Sequence, residues 1–520
     1  MLFRKFLVLF TCIAALMACD TGSGASEEII IYLTVDEDDE TVSTEFSCDA
    51  GEDQSITSLW ETVTLGGSVK YASGDSIDYI WMASPNNPST VTLSDYYMET
   101  VSFDVGFDLD EGDYTFVLMA NDGNETVSDT VVITLDYMDK LLASDGAASD
   151  NFGYSVSLSS DGSTALVGAV GDDDNGSESG SAYVFTLDGG SWSQSEKLTA
   201  SDGAEYDLFG RSVCLSSDGS TALIGASYDD DDDMGSDSGS AYVFTLDGGS
   251  WSETKLLASD GAAYDSFGCS VSLSSDGSTA LVGATPDDDT GSYYGSAYVF
   301  TLDGGSWSQS EKLTASDGAE DDYFGCSVSL SSDGSTALIG AGGDDDNGID
   351  SGSAYVFTLD GGSWSETKLI ASDGAEYDLF GRSVCLSSDG STALIGAYWD
   401  DDNGSASGSA YVFTFDGVVW SQSEKLIASD GAAYDLFGYS VSLSSDGSTA
   451  LIGSVGVDYS GVFSFGTDGW SQTGTLTAVD GAEGDMFGYS VSLSSDGSTA
   501  LVGAYLDGDN GSAYTFNLSY

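Results

Sequence analysis

The chain of 520 residues contains no histidine, and this absence removes several kinds of catalyst. Triads with a histidine base, histidine acid–base pairs and histidine metal centres are all excluded. Basic residues are also scarce: 11 lysines and arginines stand against 87 acidic residues, for a formal net charge of −76. A surface this acidic repels nucleic acid and anionic lipid headgroups, so we expect no nucleic-acid partner.

Proline is rare as well, with 3 residues beside 67 glycines. The 28 tyrosines, 23 phenylalanines and 9 tryptophans nevertheless provide more apolar bulk than a disordered polar chain carries. This composition is typical of turn-rich β-structure.

The apolar run near the start of the chain is too short for a comfortable membrane span. It follows two basic residues and indicates a secretory signal peptide at residues 1–18. The letters LMAC at its end resemble the bacterial lipobox, which implies a lipid on Cys19 and a flexible tether at residues 19–26. An ordinary signal with an incidental cysteine is the alternative. We therefore expect a lipid anchor in the cell envelope, at the outer membrane, the cell surface or the periplasmic face of the inner membrane.

A long repeat occupies the rest of the chain from residue 138. The frame D-G-A-x-x-D-x-F-G occurs seven times, with intervals of 57, 58, 57, 56, 57 and 50 residues. Each repeat contains four strand-like segments, which we label A to D after the first copy: GYSVSLS, STALVGA, SAYVFTLD and WSQSEKLT. Four-stranded antiparallel sheets that must cover both faces are expected to stack radially as a β-propeller.

The seventh repeat has strands A to C but no strand D before Tyr520. The missing segment occurs ahead of the first repeat, where residues 138–143 match the strand-D sequence of the other copies. We therefore predict an all-β fold in which residues 138–520 form a seven-bladed propeller whose last blade is closed by this N-terminal strand.

The pairs Phe152-Gly153 and Gly168-Ala169 recur in this order along the array, with Gly453-Ser454 as the one departure. This pattern resembles the FG-GAP repeat of integrin α-subunits and their bacterial relatives, and the resemblance also implies seven blades. Such repeats often carry a calcium loop between strands A and B. Here that segment is only SSDGST, with one carboxylate, so the family's calcium position is absent.

Aspartates gather instead in the loops between strands B and C, as in DDDNG. Their spacing and turn glycine suit a calcium site, although the distal glutamate of such loops is missing. There are two other interpretations. The aspartates could simply form turns and keep the rim of the propeller soluble. They could instead form a face that binds a cationic partner or a glycan through bridging calcium. The candidate calcium ligands are Asp172, Asp174, Asp344, Asp346, Asp400 and Asp402.

Residues that recur in every repeat are expected to be structural. Phe152 should plug the space between blades, and the two aspartates of its frame, Asp145 and Asp150, should accept backbone N–H bonds. The recurring strand-D tryptophan and lysine fit the same role. One disulfide between strands A of neighbouring blades is conceivable, but small buried thiols are the favoured interpretation. The strand-A cysteines are Cys214, Cys269, Cys326 and Cys385.

Residues 27–137 lack the repeat and contain strand-like runs with the spacing of a β-sandwich. Residues 108–135 resemble the closing hairpin of PKD-like and other immunoglobulin-like modules of bacterial surface proteins. The resemblance implies Trp81 as the core indole, Tyr114 as the corner tyrosine, and a spacer role.

No catalytic set of residues stands out, so we expect a non-enzymatic, monomeric protein whose propeller serves adhesion or binds an extracellular or periplasmic protein or glycan. No cofactor is required, and calcium is the one candidate. A polysaccharide-active enzyme using acidic residues, or a structural surface protein adapted to high salt, are the alternatives. Blade-specific aromatic residues are the expected ligand contacts. They are Tyr228, Tyr293, Tyr294, Tyr398 and Trp399.

Overall fold

A computed structural model describes most of the chain, and its residues divide into two compact units along the chain, at Tyr137 and Met138. The described ranges are 31–33, 46–57, 62–70, 77–93, 100–105, 109, 112–121, 125–230, 234–285, 294–478 and 480–518. Over these ranges, no helix has the length and apolar character needed to cross a membrane.

The first unit is a set of short antiparallel ladders with one parallel pair. Its main sheet has five strands in the order β1-β6-β8-β9-β3, and β2-β5 and β4-β7 form two-stranded sheets. The strands are β1 (Ile31–Leu33), β2 (Ser47–Asp49), β3 (Gln54–Ile56), β4 (Thr62–Gly66), β5 (Ser68–Lys70), β6 (Ile77–Ala83), β7 (Thr100–Asp104), β8 (Gly112–Asn121) and β9 (Thr126–Leu135).

Strict alternation along β8 places every second side chain in the core of this unit. Tyr114 and Phe116 are fully buried, and Trp81 on the neighbouring strand is 5% exposed. The hydroxyl of Tyr114 contacts that of Ser89, 25 residues earlier. The expected core indole and anchoring tyrosine are thus both inside the sandwich.

The second unit consists of seven four-stranded antiparallel sheets over its described residues, as predicted. Six blades take their strands in chain order, four at a time from β11 to β34, and the seventh has the order β10-β37-β36-β35. The strands are β10 (Met138–Leu141), β11 (Phe152–Leu158), β12 (Thr164–Ala169), β13 (Ser181–Asp188), β14 (Ser191–Leu198), β15 (Ser212–Leu215), β16 (Thr221–Ala226), β17 (Ser240–Asp247), β18 (Ser250–Leu256), β19 (Phe267–Leu273), β20 (Thr279–Ala284), β21 (Ser296–Asp303), β22 (Ser306–Leu313), β23 (Phe324–Leu330), β24 (Thr336–Ala341), β25 (Ser353–Asp360), β26 (Ser363–Leu369), β27 (Ser383–Leu386), β28 (Thr392–Ala397), β29 (Ser409–Phe415), β30 (Trp420–Leu426), β31 (Phe437–Leu443), β32 (Thr449–Ser454), β33 (Tyr459–Gly466), β34 (Gly469–Leu476), β35 (Phe487–Leu493), β36 (Thr499–Ala504) and β37 (Ser512–Asn517).

The ring closes through the strand predicted to be donated. Met138 pairs with Phe516 and Leu141 with Ala513, so β10 is the outer strand of the seventh blade. The donated strand spans 138–141, slightly shorter than the 138–143 expected. Leu141 is 3% exposed and belongs to a core cluster shared with the first blade.

The F-G and G-A pairs meet between adjacent blades. The ring of Phe209 lies within 6.0 Å of Tyr242 and Phe244 and packs on apolar residues of the preceding blade, as a plug should. A Cβ on Gly168 would lie 2.0 Å from the carbonyl oxygen of Gly210, and Gly210 has φ of +91°. Two glycines are therefore needed because the backbones of neighbouring blades touch there.

A closed circle of backbone hydrogen bonds surrounds the propeller axis at the turns between strands A and B. Each serine in this circle donates its N–H to the carbonyl of the next, at 2.8–3.0 Å, and the seventh returns to the first. We call it the serine ring. Its members are Ser160, Ser217, Ser275, Ser332, Ser388, Ser445 and Ser495.

Cys214 and Cys385 occupy positions on strand A where other blades carry serine. The sulfur of each accepts an N–H bond from the next blade, from Leu273 and Leu443 respectively, at 3.3 Å. Burial raises the pKa of both thiols to about 11. All five described cysteines are free thiols, as favoured over a disulfide.

Candidate binding face and axial pocket

The acidic loops between strands B and C are built around lysine ammonium groups. In the first blade, Nζ of Lys197 lies 2.9 Å from Asp145, 2.9 Å from Asp172 and 2.6 Å from Asp174. The hydroxyl of Tyr183 donates a 2.8 Å hydrogen bond to Asp172, which is 3% exposed. The loop between strands D and A and the loop between strands B and C are thereby tied together on one face.

The same arrangement recurs around the ring. Burial alone would lower the pKa of Lys255, but hydrogen bonds to Asp202 and Asp229 and their charges raise it to about 12. The lysines and their aspartates are Lys140 with Asp480 and Asp507, Lys255 with Asp202 and Asp229, Lys312 with Asp260, Lys368 with Asp317, Asp344 and Asp346, and Lys425 with Asp373, Asp400 and Asp402.

All six candidate calcium ligands therefore contact an ammonium group. In the part of the chain that the structure describes, no group of three or more Cys, Asp or Glu side chains is arranged to hold a metal ion. A lysine at the centre of the carboxylates supplies the positive charge that calcium would supply.

Calcium should consequently have no specific effect on stability. We expect micromolar calcium and EDTA to leave the melting temperature unchanged, and molar sodium chloride to raise it by screening the acidic surface. Calorimetric melting in each condition measures this. A calcium response that saturates at micromolar concentration would reinstate the metal site.

The two aspartates of the D-G-A-x-x-D-x-F-G frame have different roles. The second accepts a backbone N–H bond in every blade, as predicted; Asp207, for example, accepts from Ala204 at 2.6 Å. The first has two further partners that were not expected, because Asp145 contacts Lys197 and the hydroxyl of Tyr183 as well as a backbone N–H. The lysine and tyrosine come from distant strands, so local turn chemistry did not reveal them.

One position next to the axis differs from blade to blade. It is the residue after each Phe-Gly pair, where strand A begins, and the seven copies carry three tyrosines, two arginines and two cysteines. In blade order they are Tyr154, Arg211, Cys269, Cys326, Arg382, Tyr439 and Tyr489. The Phe-Gly pair before it is the same in all blades, so this position gives the axis a blade-specific end.

Six of these side chains line a cavity of about 160 Å³ on the axis, which we call the axial pocket. They are Tyr154, Arg211, Cys269, Arg382, Tyr439 and Tyr489. The pocket lies at the end of strand A where the acidic loops emerge. The serine ring lies at the opposite end, beside a second cavity of about 120 Å³.

The tyrosines form one wall of the axial pocket. The ring centroid of Tyr489 lies 4.9 Å from that of Tyr154 and 5.1 Å from that of Tyr439. Burial, together with the neighbouring hydroxyls, raises the pKa of Tyr489, so its hydroxyl stays neutral at physiological pH.

The guanidinium of Arg211 lies 6.0 Å from the ring centroid of Tyr154 and 5.8 Å from that of Tyr228. It also donates a 3.4 Å hydrogen bond to the hydroxyl of Tyr154. Burial would lower the pKa of Arg382, but nearby Cys326 and tyrosines raise it, so this guanidinium is charged. Burial raises the pKa of Cys269 to about 11, so its thiol is neutral, and the lining of the pocket carries positive charge only.

Three of the blade-specific aromatics lie around this pocket. Tyr228 contacts Arg211, and Tyr398 stacks on Tyr439 with ring centroids 5.1 Å apart. Trp399 is 48% exposed and packs edge-on against Tyr398. Tyr294 is half-buried, and its carbonyl accepts the N–H of Phe324. Tyr293 and Cys19 lie outside the described residues.

The sequence contains a signal for the axial pocket in the residue that follows each Phe-Gly pair. Cys269 and Cys326 are free thiols, as favoured, and in addition they occupy the blade-specific position. Aligning the seven F-G-x triplets shows that x alone changes from Tyr to Arg or Cys. By contrast, the strand-D tryptophans pack against the blade cores as expected; Trp251, for example, packs on the core between the first two blades.

Comparison with known proteins identifies both units. The FG-GAP repeat model matches seven segments, residues 137–185, 192–244, 251–300, 307–357, 364–413, 420–464 and 470–516, and a PKD domain model matches residues 50–135. The curated proteins contain no match.

Solved propellers resemble the fold at low identity. The β-propeller domain of Cps50 (Swd1) from Myceliophteria thermophila is 10% identical with a TM-score of 0.48, covering 74% of this chain and 99% of that one. The RRP9 WD40 repeats are 12% identical with a TM-score of 0.46, covering 74% and 98%. The periplasmic gluconolactonase PpgL of Pseudomonas aeruginosa is 16% identical with a TM-score of 0.43, covering 64% and 86%. These likenesses carry no argument about activity, whereas the repeat model covers most of the sequence: the chain belongs to the FG-GAP repeat family and has a PKD-like domain ahead of its repeats.

Proposed function

We propose that this chain is a non-enzymatic binding protein of the cell envelope, held by a lipid on Cys19, whose propeller contacts its ligand with the face formed by the acidic loops. The observation that carries the proposal is the difference between the two ends of the axis. One end carries the serine ring, to which all seven blades contribute the same residue, whereas the other gathers the side chains that differ between blades.

Blade-specific side chains next to a pocket suit recognition, because identical blades present the same contacts in every direction. Tyr228 is 42% exposed and Trp399 48% exposed at this end. Large aromatic side chains in such positions contribute strongly to binding energy. The ligand in this proposal is an extracellular or periplasmic protein or glycan, and the chain acts as a monomer.

The chemistry of the face favours binding over hydrolysis. Glycoside hydrolysis needs a carboxylic acid and a carboxylate flanking the scissile bond. Here the aspartates of the loops contact a lysine in nearly the same way in several blades. No pair of carboxyl groups among them differs from the pairs in the other blades, as a catalytic pair would. An array of glycans followed by a reducing-sugar assay separates capture from cleavage.

Trp399→Ala and Tyr294→Ala should weaken ligand capture without lowering the melting temperature. We expect at least a tenfold loss for Trp399, since an aromatic hot spot contributes about 2 kcal/mol or more. Hits from the glycan array provide the ligand, and binding to each variant is measured by biolayer interferometry.

Val418→Ala is the matched control, because Val418 is 86% exposed on the turn between strands C and D, at the other end of the axis. Unchanged capture by the Trp399 and Tyr294 variants, or loss of capture only together with loss of folding, contradicts the proposed face.

A further inference from the structure

The lining of the axial pocket contains two arginines, Arg211 and Arg382, although the protein as a whole is strongly acidic. The proposed binding face does not by itself explain their presence. Each propeller lysine is paired with at least one aspartate. Among the residues that the structure describes, every ion pair involves a lysine, and neither Arg211 nor Arg382 takes part in one.

We propose that the axial pocket binds a carboxylate-bearing sugar, a uronate, whose carboxylate is held by Arg211 and Arg382. This inference deepens the proposed function by naming the ligand class of its central pocket. A guanidinium presents several N–H donors in one plane and matches a carboxylate better than an ammonium group does.

The surroundings of Arg211 leave its donors available. Its guanidinium lies near the rings of Tyr154 and Tyr228, and the one hydrogen bond to a side chain in the described residues, to the hydroxyl of Tyr154, is long at 3.4 Å. Aromatic rings near a guanidinium hold its position without using the N–H groups that a carboxylate would accept.

The other side of the pocket suits the body of a sugar. Tyr154, Tyr439 and Tyr489 offer ring surfaces and hydroxyl groups within one cavity of about 160 Å³. This space fits a single small ring and its carboxylate. Rings that are apolar in the middle and polar at the tip suit a pyranose, which has C–H groups on its faces and hydroxyls at its rim.

The two arginines also form a matched pair. Residues 200–226 and 371–397 have identical sequences, so Arg211 and Arg382 begin the same local segment three blades apart. An equivalent arginine in a third blade is lacking, since the remaining copies are tyrosine or cysteine. Around the ring, the blade-specific positions thus run from Arg211 through two cysteines to Arg382 and then through three tyrosines, and all of them except Cys326 line the pocket.

Isothermal titration of the full chain with glucuronate and galacturonate tests the proposal. Glucose tests whether the sugar body alone binds, and acetate and inorganic phosphate test whether any anion suffices. We expect uronate to bind and glucose to bind much more weakly. Arg211→Gln and Arg382→Gln should each weaken uronate binding by about tenfold or more, because a hydrogen bond to a charged group is lost.

Lys70→Gln is the control for net charge, because Lys70 is exposed in the other unit. Arg211→Lys and Arg382→Lys keep the charge but lose the planar donor set, and they serve if the glutamine variants fail to fold.

Equal binding of uronate by the wild type and the double glutamine variant overturns the pocket while leaving the loop-face proposal intact. The proposal is also overturned if neither uronate produces heat at concentrations up to about 10 mM, because a binding free energy as small as about 3 kcal/mol would be detected. Equal affinity for phosphate would show a general anion site and refute the sugar assignment.

Discussion

Replacing Met138–Leu141 by Gly-Ser-Gly-Ser in the full chain will destabilise the propeller more than any single side-chain change on its surface. The replacement removes the outer strand of the seventh blade, which pairs with β37 along its whole length. It also removes Leu141 from the core between the seventh and first blades, and loss of one such leucine costs about 2–5 kcal/mol. The ion pairs of Lys140 with Asp480 and Asp507 are lost as well.

The repeat provides a matched control for this experiment. Replacing residues 195–198 in the first blade by the same four residues removes the equivalent leucine and lysine, Leu198 and Lys197. That strand remains attached to its own blade through Ser191–Gln194, whereas β10 joins a sheet whose other described strands come from the opposite end of the array. Chemical denaturation should show a lower midpoint and a broader transition for the closure variant. Equal midpoints would mean that the stability of the ring does not depend on the donated strand.

Lowering the pH from 7 to 5 should stabilise the protein, with a melting temperature several degrees higher. Burial raises the pKa of Asp207, Asp322 and Asp378 to about 6, partly offset by the N–H bond that each accepts. A raised aspartate pKa means that the folded state binds more protons than the unfolded state between the ordinary value, 3.8, and about 6. Unfolding free energy therefore falls as pH rises through this window.

The lower limit of this effect is set by the lysine clusters. Burial alone would raise the pKa of Asp202, but Lys255 and Tyr242 hold it below its ordinary value. Stability from such groups is present above 3.8 and is lost as pH falls below it. We therefore expect maximal stability between about pH 4 and 5 and a decline on either side.

Converting Asp207, Asp322 and Asp378 together to asparagine should flatten the response between pH 5 and 7 and raise the melting temperature at pH 7. The amide oxygen of asparagine can still accept the backbone N–H bond, and no charge is buried. For each carboxyl the difference between 3.8 and about 6 corresponds to about 3 kcal/mol. Asp188, Asp247 and Asp303, which are exposed on turns, give a control triple of the same charge change. A pH slope that persists in the first triple, or disappears in the control, would contradict this assignment.

The fold could be predicted from the sequence because the repeat carries its information many times. Four strands per copy, the missing strand D and the segment ahead of the first copy together define a closed ring, and each follows from simple counting. The plug role of the phenylalanine and the packing of the tryptophans followed from their recurrence. The residues against which these side chains pack are repeated as well. A wrong assignment in one repeat would therefore disagree with the assignment in the other repeats.

The candidate site was less predictable, because its contacts join residues from different strands and blades. The acidity of Asp172 and Asp174 was visible, but the position of Lys197 among them depends on how strand D meets the loop between strands B and C. Likewise, Arg211 and Tyr489 are far apart in sequence and line one pocket only because the ring closes. Features that lie within one blade could therefore be predicted from the sequence of a single repeat. The contacts around the axial pocket could not, because they form only when all seven blades are assembled.

The donated strand also imposes an order on synthesis. Met138–Leu141 is the first part of the propeller to be made, and its partner, Ser512–Asn517, is among the last. Nearly four hundred residues must therefore be translated before the earliest strand finds its neighbour. Until β37 is made, the backbone N–H and C=O groups along one edge of Met138–Leu141 have no partner strand, so the seventh blade is the last to be completed.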